Sequence, residues 1–171
     1  MPNLPHGWRG LHLVIVHFPI ILFLVAPFLV AVGVGLSAAR KQLFLQLALG
    51  FMILGTAMTY AAIATGGLAM KAAGSTPAVT MALEEHRVLA ETTCELFSVL
   101  TLGFAAILFV PRLLGHDLES WVSTALFTAF LVFYGTGAVL LVDTARKGDS
   151  LVDVLNGNKE ATLILQHEGG R

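Results

Sequence analysis

The sequence predicts an all-α integral membrane protein, a four-helix bundle with both termini on the same side of the bilayer. Three observations carry that reading. Of the 171 residues, 56% are hydrophobic and 12% are charged, with mean hydropathy +0.81, against about 45–50% apolar and about 25% charged in a soluble domain. Four apolar stretches, residues 11–36, 43–64, 88–110 and 122–142, contain 26, 22, 23 and 21 residues, each long enough to cross ~30 Å of hydrocarbon as a helix. The stretches also lack the period-two alternation of barrel strands, as Ile20-Ile21-Leu22-Phe23-Leu24-Val25 shows. With their flanking turns the spans are expected over residues 11–36, 43–66, 82–110 and 121–143. They form a transmembrane unit of residues 1–145 followed by an extramembrane tail, residues 146–171.

The first span is far longer than a signal core and no small-residue cleavage site follows it, so it is expected to stay attached. Pro27 has no N–H for the Phe23 carbonyl and predicts a kink. Arg40-Lys41-Gln42 is a tight turn, which makes the first two spans an antiparallel hairpin. In the second span Ala57, Ala61 and Thr65 recur every four residues and predict a face on which a neighbouring helix approaches closely. The linker beginning at Gly66-Gly67 contains Ser75-Thr76-Pro77, a hydroxyl cap followed by proline, so the third helix should begin before the membrane does. Pro111 to Ser120 turns it back into the fourth span. Four spans place the termini and this linker on one side, here side A, and the two short turns on side B. Arg9, Lys71, Arg87, Arg146 and Lys147 lie toward side A; Arg40, Lys41 and Arg112 lie toward side B. The total favours side A in the cytoplasm, the first hairpin favours the opposite, and the orientation stays unassigned.

Several function classes fall away. The 10 Lys+Arg and 11 Asp+Glu are nearly balanced and form no long run, which excludes a nucleic-acid partner. The single Cys94 offers no internal disulfide, zinc cluster, iron–sulfur site or c-type haem attachment. There is no His-Glu-x-x-His, no Gly-x-Ser-x-Gly and no phosphate-binding glycine loop.

The informative residues are the polar ones in or beside apolar spans. His17 lies ~9 Å past the start of the first apolar run, and ionisable residues at such positions are candidate functional sites facing the bundle interior. His86 opens the third span on the same side of the membrane. Two neutral imidazoles on different helices are the arrangement that holds haem b, one nitrogen on each axial face of the iron. His17 and His86 are therefore the expected axial ligands. His12 lies five residues earlier, roughly 140° around the helix, and is assigned an interfacial role such as bonding a ligand or propionate. Arg9, Lys71 and Arg87 are candidates to neutralise propionates, although long basic side chains at helix ends also simply snorkel to water. Tyr60 matches His17 in depth and could bond a quinone carbonyl or a propionate, or anchor the interface. Tyr134, central in the fourth span, receives no role.

Leu11-x-x-x-x-x-His17-Phe18-Pro19-Ile20, Thr65-Gly66 ending the second span, a histidine near the start of the third and Gly135-Thr136-Gly137 in the fourth resemble a bacterial family of small four-helix membrane proteins known as a domain of unknown function. The resemblance covers about the first 145 residues and implies the four-helix topology and the importance of His17 and His86. The architecture is also similar to haem-b membrane anchors of respiratory enzymes, which implies quinone as partner.

Three readings stand beside one another: a haem b site, a cofactor-free cluster in which histidines bond carbonyls or Glu84, Glu85 and Glu91 to pin helices together, and a quinone, proton or other metal site without haem. Glu91 and Glu95, four residues apart with Ser98 extending the stripe, are proton or quinone candidates, since a buried unpaired carboxyl is neutral and can relay protons. In the alternative, Glu95 faces another subunit or pairs across the bundle. The expected activity is that of a b-type cytochrome-like electron-transfer subunit, not a stand-alone enzyme, joining a partner redox protein to the quinone pool of the bacterial inner membrane. The alternative is a scaffold subunit of a larger complex. The tail, with apolar groups Leu151-Val152-Val154-Leu155 and Leu163-Ile164-Leu165, is too short to fold alone; either it lies on the bundle or a partner holds it, and its apolar groups are the expected docking surface for other subunits.

Overall fold

The computed structural model describes residues 7–71, 76–115 and 119–169. Among them are five helices and no strand: α1 (Trp8–Ile15), α2 (His17–Val34), α3 (Ala38–Lys71), α4 (Pro77–Leu113) and α5 (Ser120–Gly169). Taking α1 and α2 together, four helical segments are long and apolar enough to cross a membrane, and the chain is an all-α four-helix membrane protein. Backbone contacts join α2 to α3, α3 to α4, α4 to α5 and α5 back to α2, while α1 lies on α3 and α2. Helices α2 and α4 therefore stand at opposite corners of the bundle.

The first crossing is not one continuous helix. Pro19 has no N–H for the Ile15 carbonyl and its ring crowds that oxygen, so the chain breaks at Val16. The His17 ring Nδ1–H donates to the Leu13 carbonyl across the break at 2.6 Å. Pro27, by contrast, sits inside α2 without ending it. The carbonyl it deprives of a donor, that of Phe23, receives the hydroxyl of Tyr134 from α5 at 2.8 Å. That bond gives Tyr134 the role the sequence did not assign, and it connects opposite ends of the chain at a buried point.

Around this bond the core is aromatic. Phe23 stacks on Phe97 with ring centroids 3.8 Å apart and planes 11° from parallel. The contacts continue from Phe97 to Tyr134 at 5.4 Å, Tyr134 to Phe130 at 5.6 Å, Phe130 to Phe104 at 4.7 Å and Phe104 to Phe127 at 6.1 Å. On side B the column ends under the Lys41 ammonium, 5.2 Å from the Phe127 centroid and 3.4 Å from the Ser123 hydroxyl. The Phe23 ring needs Gly55, since a Cβ there would stand 2.7 Å from its edge. The buried face of α3 therefore runs through Gly55, Thr59, Ala62 and Thr65. Of the expected small-residue face only Thr65 is buried; Ala57 is exposed and Ala61 is half-buried, because Phe23 turns Gly55 toward the core.

At side A, α4 begins as the sequence predicts. Pro77 is its first residue, and the Thr76 hydroxyl accepts the Val79 N–H at 3.4 Å. Residues 146–169, expected as a separate tail, continue α5 without a break; its 50 residues extend ~75 Å, more than twice the hydrocarbon thickness. Leu151 and Leu155, on one face of α5, pack with Val79, Ala82 and Leu83 of α4 into a second small core. Of the first apolar group the chain itself thus covers Leu151 and Leu155, while Val154 stays exposed; the other group, Leu163, Ile164 and Leu165, lies outside the described side chains.

Candidate functional site at the side A end

Where α1 meets α3, His12 lies inward. Its Nδ1–H donates to the Ala62 carbonyl at 2.9 Å and lies 3.2 Å from the Thr65 hydroxyl oxygen. That hydroxyl in turn donates to the Ala61 and Ala62 carbonyls at 2.9 and 3.0 Å, which holds it as an acceptor toward the ring. Gly66 makes room for the imidazole, because a Cβ there would come within 3.1 Å of His12 Cε1. With the proton on Nδ1, a neutral His12 ring leaves its Nε2 lone pair free. Histidines that bind metals are held this way, with the second nitrogen donating to a backbone carbonyl.

Between α4 and α5, His86 rests on another glycine. A Cβ on Gly148 would stand 3.2 Å from His86 Cε1. The His86 ring is hydrogen-bonded to the backbone of Thr144. Below it the Thr144 hydroxyl pairs with that of Thr93 at 2.7 Å and donates to the Leu140 carbonyl at 2.8 Å. His86 Nδ1 is buried and makes no hydrogen bond, alone in this among the described side-chain nitrogens and oxygens. Such a group costs about 1–3 kcal/mol of desolvation and calls for a partner.

The other expected site residues separate from this pair. His17 is exposed on the outside of α2, so the structure does not bring it face to face with His86. The cause is the anchoring of His12 on α3: five residues along a helix, the next histidine points away. Arg9 is half-buried, one turn before His12, while Arg87 is held on its own helix by Glu91 at 3.2 Å and Glu84 at 3.9 Å. Lys71 is exposed at the end of α3. Tyr60, 58% exposed, bonds the Ser98 hydroxyl at 3.2 Å on the α3–α4 seam, ~7 Å along α3 from Thr65. Glu91 is bound to Arg87, and Glu95 is exposed with no ion pair among the described residues.

Sequence reasoning missed Ala62, Gly148 and Thr144 as parts of the site. The sequence sets the two glycines that cradle imidazoles, Gly66 and Gly148, in the linker and the tail, and only the fold puts them inside helices. Among the described residues no group of three or more His, Cys, Asp and Glu converges, and the two histidines are the donor set the fold provides. The two histidines lie on different helices toward side A, His12 on α1 and His86 on α4, and among the described residues α1 makes backbone contact with α2 and α3. No protein family, curated protein or solved structure matches the chain.

Proposed function

We propose that the chain is a b-type cytochrome-like subunit of a bacterial inner membrane, passing electrons between a partner redox protein and the quinone pool. The observations that support it most are two half-buried histidines on separate helices, His12 oriented by the Ala62 carbonyl and His86 with its Nδ1 buried without a partner. Haem b held by the two imidazoles would supply one-electron redox chemistry within the membrane. His12 and His86 would be the residues to hold it in this reading, and His17, which the sequence favoured, would not. Arg9, on the same helix as His12, is the cation available to a propionate. Glu91 and Glu95 remain the groups of α4 able to exchange protons beside a quinone. An electron carrier with one cofactor requires a donor and an acceptor, so the reading includes partner subunits.

A second reading has support of its own. The bond from His12 to Ala62 pins α1 on α3, and the hydroxyl pairs Thr56 with Thr101 at 3.0 Å and Thr93 with Thr144 at 2.7 Å join neighbouring helices in the same manner. Such pairs contribute about 0.6 kcal/mol each in a bilayer. In that reading the chain is a cofactor-free scaffold subunit. The full-length protein purified in mild detergent separates the two: a reduced-minus-oxidised spectrum with an α band and about one haem per chain supports the cytochrome. A folded, colourless protein after expression with ample haem supports the scaffold.

A further inference from the structure

Two ionisable side chains face outward from the bundle at matched depth. His17, the first residue of α2, and Glu95 of α4 are both exposed, and they lie ~26 Å and ~27 Å from the side B ends of their helices at Val34 and Leu113. Neither has an ion-pair partner among the described residues. His17 Nδ1–H is committed to the Leu13 carbonyl, which leaves Nε2 directed to the surroundings. A carboxylate at the edge of the hydrocarbon is costly unless it is paired, and a second copy of this chain carries the matching imidazole at the same level.

We infer that the protein self-associates laterally, with His17 on α2 of one copy paired to Glu95 on α4 of the next. Both helices run from side A to side B, so in two copies of the same orientation they lie parallel. Aligning His17 with Glu95 then sets the register of everything below. Ile21 meets Val99, Val25 meets Gly103, and Phe28 meets Ala106. Phe28 is 71% exposed, whereas Ala106 is small and exposed and Gly103 has open space around it. At two of these three positions, Val25 over Gly103 and Phe28 over Ala106, a bulky outward residue of α2 falls opposite a small one of α4, the size match by which membrane helices approach closely; Val99 opposite Ile21 is itself large and exposed. Because α2 and α4 stand at opposite corners, the contact is head-to-tail and uses a different face of each copy. It rests on neither His12 nor His86 and stands or falls separately from the haem ligands, while it takes Glu95 and leaves Glu91 as the carboxyl of α4 beside a quinone.

The test uses full-length protein in native-like nanodiscs or membranes. In a Cys94→Ala background, His17→Cys and Glu95→Cys proteins are expressed together and oxidised with copper phenanthroline. The expected result is a cross-linked dimer in the mixture, none with either variant alone, and a ladder of higher species when one chain carries both cysteines. His17→Leu and Glu95→Leu should each dissociate the wild-type oligomer to monomers, and the exchange His17→Glu with Glu95→His should restore it. The melting temperature of each leucine variant is read beside its oligomeric state, since His17→Leu also removes the bond to the Leu13 carbonyl. Glu95→Leu, which removes no bond among the described residues, carries the test if His17→Leu unfolds. A monomeric wild type, a link between two Glu95→Cys copies alone, or a link only to a foreign protein would overturn the inference.

Discussion

The middle and side B half of the bundle and its side A end solve the same burial problem with different chemistry. From Phe23 to Phe127 the interior is a continuous column of rings, and the one carbonyl that Pro27 opens is closed by Tyr134. At side A the packing is of imidazoles on glycines, and one buried nitrogen, His86 Nδ1, stays unbonded. The aromatic half removes every irregularity, while the histidine end retains one. The contrast separates a half closed by ring packing from an end where a polar group is left for a partner the chain itself does not supply.

The contrast is broken most severely by deleting a ring from the column. Phe97 touches both Phe23 and Tyr134, and Phe97→Ala should cost about 3–5 kcal/mol, read as loss of thermal stability in detergent with cofactor binding impaired only as the fold fails. Next is Tyr134→Phe, which strands the Phe23 carbonyl and should cost about 1–3 kcal/mol. The same change in a Pro27→Ala background should cost much less, because residue 27 then donates its own N–H to that carbonyl. Equal losses in both backgrounds would show that the bond does not close the proline gap.

A smaller effect sharpens the comparison from the other end. Gly66→Ala and Gly148→Ala put a methyl 3.1–3.2 Å from an imidazole carbon, so each ring must shift by a few tenths of an ångström. The expected outcome is an altered haem spectrum or occupancy with little change in thermal stability, whereas Gly67→Ala, with nothing within 4 Å of its new methyl, should change neither. The smallest effect belongs to Lys147, whose exposed ion pair with Glu85 spans 2.8 Å. Screened pairs of this kind contribute little, and Lys147→Ala should leave the melting temperature unchanged.

The fold was legible because hydropathy over ~20 residues is a long, redundant signal, and the cap at Thr76-Pro77 and the gap at Pro27 are local chemistry. What closes that gap was not legible: Tyr134 is 111 residues from Phe23, and no local pattern announces a partner so distant. The break at Val16 was visible only as Pro19. The site was half legible. The importance of histidines at the side A end followed from their cost in lipid, but which of His12 and His17 faces inward depends on how α1 is turned. That is fixed by the Ala62 carbonyl, the Thr65 hydroxyl and the space at Gly66 on another helix. Whether the end of α5 lies on the bundle or on a partner was not legible, because Val79, which covers Leu151 and Leu155, lies far back in the sequence on α4.

The central claim is that the inward histidines, and not the outward one, form the site. It is tested most directly by the haem content per chain of His12→Ala, His86→Ala and His17→Ala proteins, each purified at full length beside the wild type. The account predicts that the first two lose most or all of the haem while His17→Ala retains it. Retention in His12→Ala with loss in His17→Ala would contradict it and return the ligand to the outer face of α2.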